Sequence, residues 1–540
     1  MIAPEWARGY QRDWLRSDLI AGVVIWSVVT PQALAYAQIA GLPPEAGLMA
    51  APVAMLGYGL IGTSRQLVVS ATTATSAVSA AAVGPLADGD PVRFAALSAA
   101  FALVTAAVLV SAGVLRLGAI ADLVSKPVMT GFLFGLGLTI MITQLPSVLG
   151  IPAGEGDFFP RLWDLLGDLG DIDGTTLAVG AGSLAVLLLA PRLVPVIPAT
   201  LLVLALSIAA AALFDLGEHG VDLVGDVPTA LPDPAIPDVG AHDLVSLIAP
   251  ALGVLVVSAE AVGVARSLAT EHGYRVDANR DLVGLGAANL LAGLSSGFVQ
   301  SGGASQTAAA DRAGGRSQLA AVAAAGLILL TGAFLAPLFE DLPQATLGAI
   351  VVVAVAGFFR VDELRRFLRI RRSAVVWAGL ALVGVLVLGV LEGLVVTAAL
   401  TLIYVIQRLA RPSVGPLARD PETGAWGRAE RHPDWERPTG VLAVRSDGPL
   451  FYANTDPVKQ RILSLAADEP RPTAVVLTLA ETTELDVQTA DTIGELVDAL
   501  EKDGIPLVLV DVRAPVLDVL RRAGLTERIR IEPTLDEAVR

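Results

Sequence analysis

Two short stretches hold the residue types from which this chain could build a site for a small anion. GTSRQLVVSATTATSAVSAAAVG (62–84) opens with a β-like run, Gln66 to Val69, and becomes a short helix of Ala, Thr and Ser. SSGFVQSGGASQTAAADRAGG (295–315) repeats the plan: Phe298 and Val299, a Gly-Gly break at 302 and 303, then another short helix of small residues. Each is too short and too polar to cross lipid alone. A helix that begins at membrane midplane aims its unpaired N–H groups and the positive end of its dipole into the space before it. Ser70, Ala71 and Thr72 are the donors expected on one side, Ala304 and Ser305 on the other. Two such ends facing each other hold an anion without a cationic side chain, and small side chains let the ligand approach the backbone. Close helix packing alone would account for Ala, Ser, Thr and Gly, but not for the duplicated strand-like lead-in.

Glu260 is the one acidic side chain in LVSLIAPALGVLVVSAEAVGVARSLA (244–269). A carboxylate at membrane depth is costly and faces a cavity or a partner. It is either a functional group facing a cavity or half of a structural ion pair with Arg266 or another basic residue. Gln32 follows Pro31 in an apolar run, where proline frees a backbone group; its amide reaches a ligand or makes an interhelical hydrogen bond. Arg65 reads as an anchor at the membrane surface. Cysteine is absent and the histidines, His219, His242, His272 and His432, are scattered, which excludes a thiolate cluster and disfavours a histidine metal site. With no phosphate loop and no nucleophile–base pair, neither an enzyme nor a cofactor is expected. The formal charge of −16 argues against a nucleic-acid partner, which needs clustered Lys and Arg.

These residues require a lipid bilayer around them. Hydrophobic residues make up 54% of the 540 and mean hydropathy is +0.66, beyond what a soluble core uses. Apolar stretches at 97–115, 128–149, 175–190, 198–214, 244–262, 318–338 and 374–407 each suit a membrane crossing, the last long enough for two short ones. A soluble helical bundle would need polar faces at helical period, and 374–391 has none. Trp6, Tyr10 and Trp14 among basic residues read as an interfacial helix rather than a cleaved signal.

Alternating spans put Arg65, Arg116, Lys126, Arg192, Arg266, Arg275, Arg280, Arg312 and Arg316 on one side, with the cluster Arg360, Arg365, Arg366, Arg369, Arg371 and Arg372. The opposite loops carry Glu155, Asp157, Asp164, Asp168, Asp171 and Asp173 beside Arg161 at 151–174, and seven carboxylates without Lys or Arg at 215–243. The positive-inside bias places both termini in the cytosol, with 14 crossings expected. Seven spans per half make the two interrupted segments the third of each half, the mark of an inverted repeat with its site at midplane.

At these residues the chain resembles the SulP family of anion transporters, the sulfate permeases. The likeness rests on DLIAGVVIWSVVTPQALAYAQIAGLPPEAGL (18–48), ARSLATEHGYRVDANRDLVGLGAANLLAGLSSGF (265–298) and GGRSQLA (314–320), and extends over 14 to about 410. It implies a 14-span α-helical membrane fold of two inverted seven-helix repeats, divided into a mobile core and a gate that move as an elevator. It also implies that Gln32 and Tyr36 line the pocket, that Ala71, Thr72, Ala304 and Ser305 present backbone donors, and that Glu260 stands where relatives carry an acid linked to cation coupling. Many relatives have Arg after the serine of the tenth helix; here that place is Gln306, which keeps hydrogen bonding but lacks fixed charge.

After 411 the character changes. Residues 412–439 are rich in Pro, Gly and charge and read as a linker; strand-like runs alternate with amphipathic helices over 440–540, an α/β domain that resembles a STAS domain. In related modules a phosphorylatable Ser or Thr follows an Asp at a helix start; here Thr489 follows Asp486, and a plain helix N-terminal residue is the preferred reading. Regulation, trafficking or dimer assembly is expected of this domain. Taken together, the expected function is secondary transport of sulfate, bicarbonate or a dicarboxylate, coupled to a proton, by a homodimer in the plasma membrane. The competing readings are a nucleobase-type permease of the same fold and a membrane-anchored STAS sensor or scaffold.

Overall fold

The computed structural model describes residues 4–118, 125–154, 156–194, 197–225, 227 and 234–540. Glu155, Asp226 and Asp233 of the acidic loops lie outside them. The chain divides into two compact units, residues 1–401 and 402–540.

Seven main helices form the first half: α1 (Leu15–Ile39), α2 (Pro44–Ile61), α3 (Thr73–Ala87), α4 (Pro91–Val114), α5 (Lys126–Leu149), α6 (Gly174–Leu193) and α7 (Ala199–Phe214). The second half repeats the order with α8 (Ile248–Glu271), α9 (Ala278–Leu294), α10 (Ala304–Arg312), α11 (Leu319–Leu330), α12 (Gln344–Ala356), α13 (Arg372–Leu388) and α14 (Val390–Ala410). The run 374–407 is thus two helices, parted at Gly389, whose φ of +97° suits a residue without a Cβ. Among the described residues, eight helical stretches are long and apolar enough to cross a membrane by themselves. The short α3 and α10 occupy the third place of each half, as the interrupted segments require.

Contacts sort these helices into two groups. α9 packs on α4 and α2, α11 on α1 and α2, and α10 on α1; separately, α5 packs on α13 and α12, and α6 on α12 and α7. Backbones approach closely where glycine permits it. A Cβ on Gly47 of α2 would lie 2.0 Å from the Ala33 carbonyl oxygen of α1, and one on Gly131 of α5 would lie 1.9 Å from that of Ala378 on α13. Buried polar groups fasten the first group. Asp18, fully buried, accepts from the N–H groups of Arg316 (2.7 Å) and Ser317 (3.2 Å) and from Ser317 Oγ (2.6 Å), at the entry to α11.

In the second unit, β3 (Val414–Arg419), β4 (Trp426–Arg428), β5 (Val441–Ser446), β6 (Ala474–Thr478), β7 (Leu507–Val510) and β8 (Arg530–Glu532) make one sheet in the order β4-β3-β5-β6-β7-β8. β5 to β8 are parallel, with α15 (Thr455–Ala467), α16 (Val487–Lys502) and α17 (Ala514–Arg522) as crossovers. Residues 412–439, expected as a linker, instead contribute β3 and β4, which add antiparallel to the edge at β5. Pro416, which has no N–H to donate, stands where the pairing of β3 passes from β5 (Val414–Pro416) to β4 (Leu417–Arg419). Asp486 caps α16: Oδ1 accepts from the Thr489 N–H (2.8 Å), and Oδ2 from the Thr489 hydroxyl (2.7 Å) and the Tyr452 N–H (2.9 Å). Thr489 is fully buried, so its hydroxyl serves the helix start.

Candidate functional site

The two strand-like lead-ins pair with each other. β1 (Val69–Ser70) and β2 (Ser301–Gly302) are antiparallel, with Val69 opposite Gly302 and Ser70 opposite Ser301. The Gly303 N–H donates to the Val68 carbonyl (3.0 Å), and the Val68 N–H to Thr307 Oγ1 (3.0 Å). The N-termini of α3 and α10 are therefore brought to one place, and a cavity of about 370 Å³ opens there. Gln32, Tyr36, Thr72, Ala304, Ser305, Gln306 and Glu260 all line it.

Local sequence sets the donors. Gly303 precedes α10 and supplies no side-chain cap, so the first-turn N–H groups of Ala304 and Ser305 are free to face the cavity. At α3, Thr72 is the N-cap, and its hydroxyl accepts from the Thr75 N–H (3.2 Å) while its own N–H donates to Thr75 Oγ1 (3.2 Å). The Thr72 N–H, expected as a ligand donor, is thus occupied. Thr73 and Ala74, the next two residues on the wall, hold the first-turn positions instead. Ala71 is buried and is not among the lining residues; its carbonyl accepts from Gln306 Nε2 (3.4 Å). Gln32 and Tyr36 lie one turn apart on α1, after the buried Pro31, and share the wall by helical spacing.

Gln306 is buried and knits the site together. Its Nε2 donates to Gln32 Oε1 (2.8 Å), and its Oε1 accepts from Ser70 Oγ (2.9 Å). Glu260 pairs with a basic residue, and that residue is Arg360, with Nη2 3.5 Å from Oε1. Arg360 lines the cavity as well, although the sequence groups it with the five arginines that follow. The signal that sets it apart is its position directly after the apolar run of α12 and Gly357-Phe358-Phe359. Glu260, Arg360 and Ala304 also line a second cavity of about 540 Å³, which extends past Thr130 and Ser267 to Lys126; Lys126 is held 2.8 Å from Glu363. Arg65 lies on neither wall. Its guanidinium covers the rings of Tyr274 (4.9 Å) and Trp14 (5.7 Å), which fits an anchor.

Residues 15–379 match the sulfate permease family and residues 432–538 the STAS domain. A probable sulfate transporter of Mycobacterium tuberculosis is 34% identical over 98% of this chain and 96% of its own. The chloroplastic sulfate transporter 4.1 of Arabidopsis thaliana is 27% identical over 97% of this chain and 79% of its own. Among solved structures, the murine solute carrier 26 family member A9 anion transporter in its inward-facing state has a TM-score of 0.88 at 22% identity, covering 99% of this chain and 92% of that one. The transmembrane domain of the cyanobacterial bicarbonate transporter BicA has a TM-score of 0.65 at 20% identity, covering 73% of this chain and 98% of that one. The structural likenesses show the fold, and the match over 15–379 shows that the chain belongs to the sulfate permease family, a family of membrane transporters.

Proposed function

We propose that this member of the sulfate permease family is a secondary active transporter that carries a small anion, such as sulfate, bicarbonate or a dicarboxylate, together with a proton. The observation that carries the reading is the cavity into which α3 and α10 both direct their N-termini. Backbone donors and two aligned helix dipoles favour negative charge there. The side chains on the wall contribute no net charge while Glu260 and Arg360 are both ionised. A proton on Glu260 releases Arg360 and makes the cavity cationic, so that proton and anion favour each other's binding. Na⁺ at Glu260 would act in the same sense. The division of the helices into two groups supports an elevator motion in which α3 and α10 travel with their group past the other. In this reading the chain works as a homodimer in the plasma membrane with both termini cytosolic. The excess of Lys and Arg in one set of loops supports that orientation.

The test is uptake by proteoliposomes offered radiolabelled sulfate, bicarbonate, succinate and uracil, with and without an inward proton gradient. Uptake of at least one anion above empty vesicles, accelerated by the gradient, is expected. Flux of uracil without anion flux would replace the reading by a nucleobase permease, and no flux of any probe would leave the membrane unit without a transport role.

A further inference from the structure

The hydrogen bonds behind the cavity wall fix the polarity of one ligand contact. The Ala71 carbonyl can only accept, and Gln306 Nε2 lies 3.4 Å from it, so the amino end of Gln306 is on that side. Its Oε1 turns toward Ser70 Oγ, which donates at 2.9 Å, and folds over Gly303, where a Cβ would come within 1.9 Å of it. The remaining hydrogen of Nε2 goes to Gln32 Oε1 at 2.8 Å. The acceptor end of the Gln32 amide is therefore engaged. Gln32 Nε2 has no partner among the described residues, is not among the sealed-off polar atoms, and belongs to a side chain on the cavity wall. An amide offers two donors at that end and none at the other.

We infer that Gln306 is a positioning residue that holds the Gln32 amide with its amino end toward the anion, and so makes α1 a donor of hydrogen bonds to the ligand. The inference rests on the reading of this cavity as the anion site. It gives residue 306 a duty that does not depend on charge. An arginine there would also donate to Gln32 Oε1 and preserve the orientation. A glutamate would accept, turn the Gln32 amino group toward itself, and present Oε1 to the anion. A methionine of similar length would leave the Gln32 amide unguided.

The experiment measures binding of radiolabelled sulfate and bicarbonate to the purified full-length protein. For whichever anion the wild type binds, Gln306→Met is expected to raise Kd about tenfold, the loss of one hydrogen bond to a charged group. Gln306→Glu should raise it further, while Gln306→Arg should bind at least as tightly as wild type. The effect of Gln306→Met should vanish in the Gln32→Ala background, because the first residue acts through the second. Gly303→Ala keeps both glutamines but displaces Gln306 Oε1, and should weaken binding as Gln306→Met does. Wild-type binding combined with additive effects of the two substitutions, or with equal weakening by Arg, Met and Glu, overturns the inference alone. Failure of the wild type to bind either anion overturns the reading of the cavity and the inference with it.

Discussion

Replacing Glu260 by Gln keeps the shape of the side chain and removes its charge, which strips Arg360 of the partner it holds at 3.5 Å. At that 3.5 Å separation, Coulomb attraction is roughly 1 kcal/mol in water and roughly 5 kcal/mol at an effective dielectric constant of about 20. The Arg360 side chain is 44% exposed and that of Glu260 31%. Solvent therefore screens the pair, and the lower end, about 1 kcal/mol, is the release to expect. That is roughly a fivefold change in an equilibrium constant. Glu260→Gln should accordingly bind the anion about fivefold more tightly than wild type near neutral pH. Wild-type affinity should rise toward the variant's as acid protonates Glu260, while the variant's affinity stays flat. In proteoliposomes, an inward gradient of one pH unit supplies about 1.4 kcal/mol per proton. It should drive accumulation by the wild type, and Glu260→Gln should retain only exchange. Anion binding across the neutral to mildly acidic range, with uptake under the gradient, measures both. A variant that still accumulates anion with the gradient, or that binds it more weakly, refutes the proposed link between Glu260, Arg360 and coupling.

Three other substitutions test the scaffold. Gly131→Ala places a methyl group 1.9 Å from the Ala378 carbonyl oxygen, so α5 and α13 must separate; a cost of about 1–3 kcal/mol should appear as a lower Tm of the detergent-purified protein. Asp18→Ala leaves three donors at the entry to α11 without their acceptor, at about 1–3 kcal/mol for each donor that stays dry, and should lower Tm by more than Gly131→Ala. Asp486→Ala removes the cap of α16, worth about 1 kcal/mol, and hydrogen exchange in the full-length protein should quicken at the Thr489 and Tyr452 amides. Burial pushes the Asp486 carboxyl up, but the hydroxyl and N–H of Thr489 and the N–H of Tyr452 outweigh it and hold the group below the usual carboxylate range. A lowered folded-state pKa means the cap's contribution is complete above the unfolded value, about 3.9, and is lost as pH falls through the folded one. Wild type and Asp486→Ala should therefore converge in acid.

The architecture was legible because membrane crossing writes itself into composition. Apolar length marks most spans, and the two polar, small-residue segments stand out because their breaks recur at the same place in each half. Gln32, Ala304, Ser305 and Glu260 stand out because they interrupt apolar helices or begin short ones, whereas Tyr36 and Gln306 are marked only by the family resemblance. Arg360 does not stand out, since six arginines between 360 and 372 share one local character and only tertiary packing brings the first of them to Glu260. The shift of the first-turn positions of α3 from Ala71 and Thr72 to Thr73 and Ala74 escaped for a related reason. The Thr72–Thr75 capping box decides where α3 starts, and a row of Ala and Thr offers several equivalent starts. β3 and β4 were missed because Pro, Gly and charge mark both a linker and a sheet edge.

The pairing of Val69 and Ser70 with Gly302 and Ser301 has a consequence for how the protein is made. About 230 residues separate the partners, so at 5–20 residues per second the ribosome needs roughly 10–50 s to supply the second strand after the first. Throughout that interval the lead-in to α3 has no backbone partner for the Val68 carbonyl, and the polar start of the helix has no dry place to rest. The insertion machinery, or water retained beside the nascent bundle, must shelter the first half-helix until the second arrives. Truncated chains ending before residue 301 should accordingly leave residues 66–74 open to aqueous labelling reagents, and chains extended through α11 should close them.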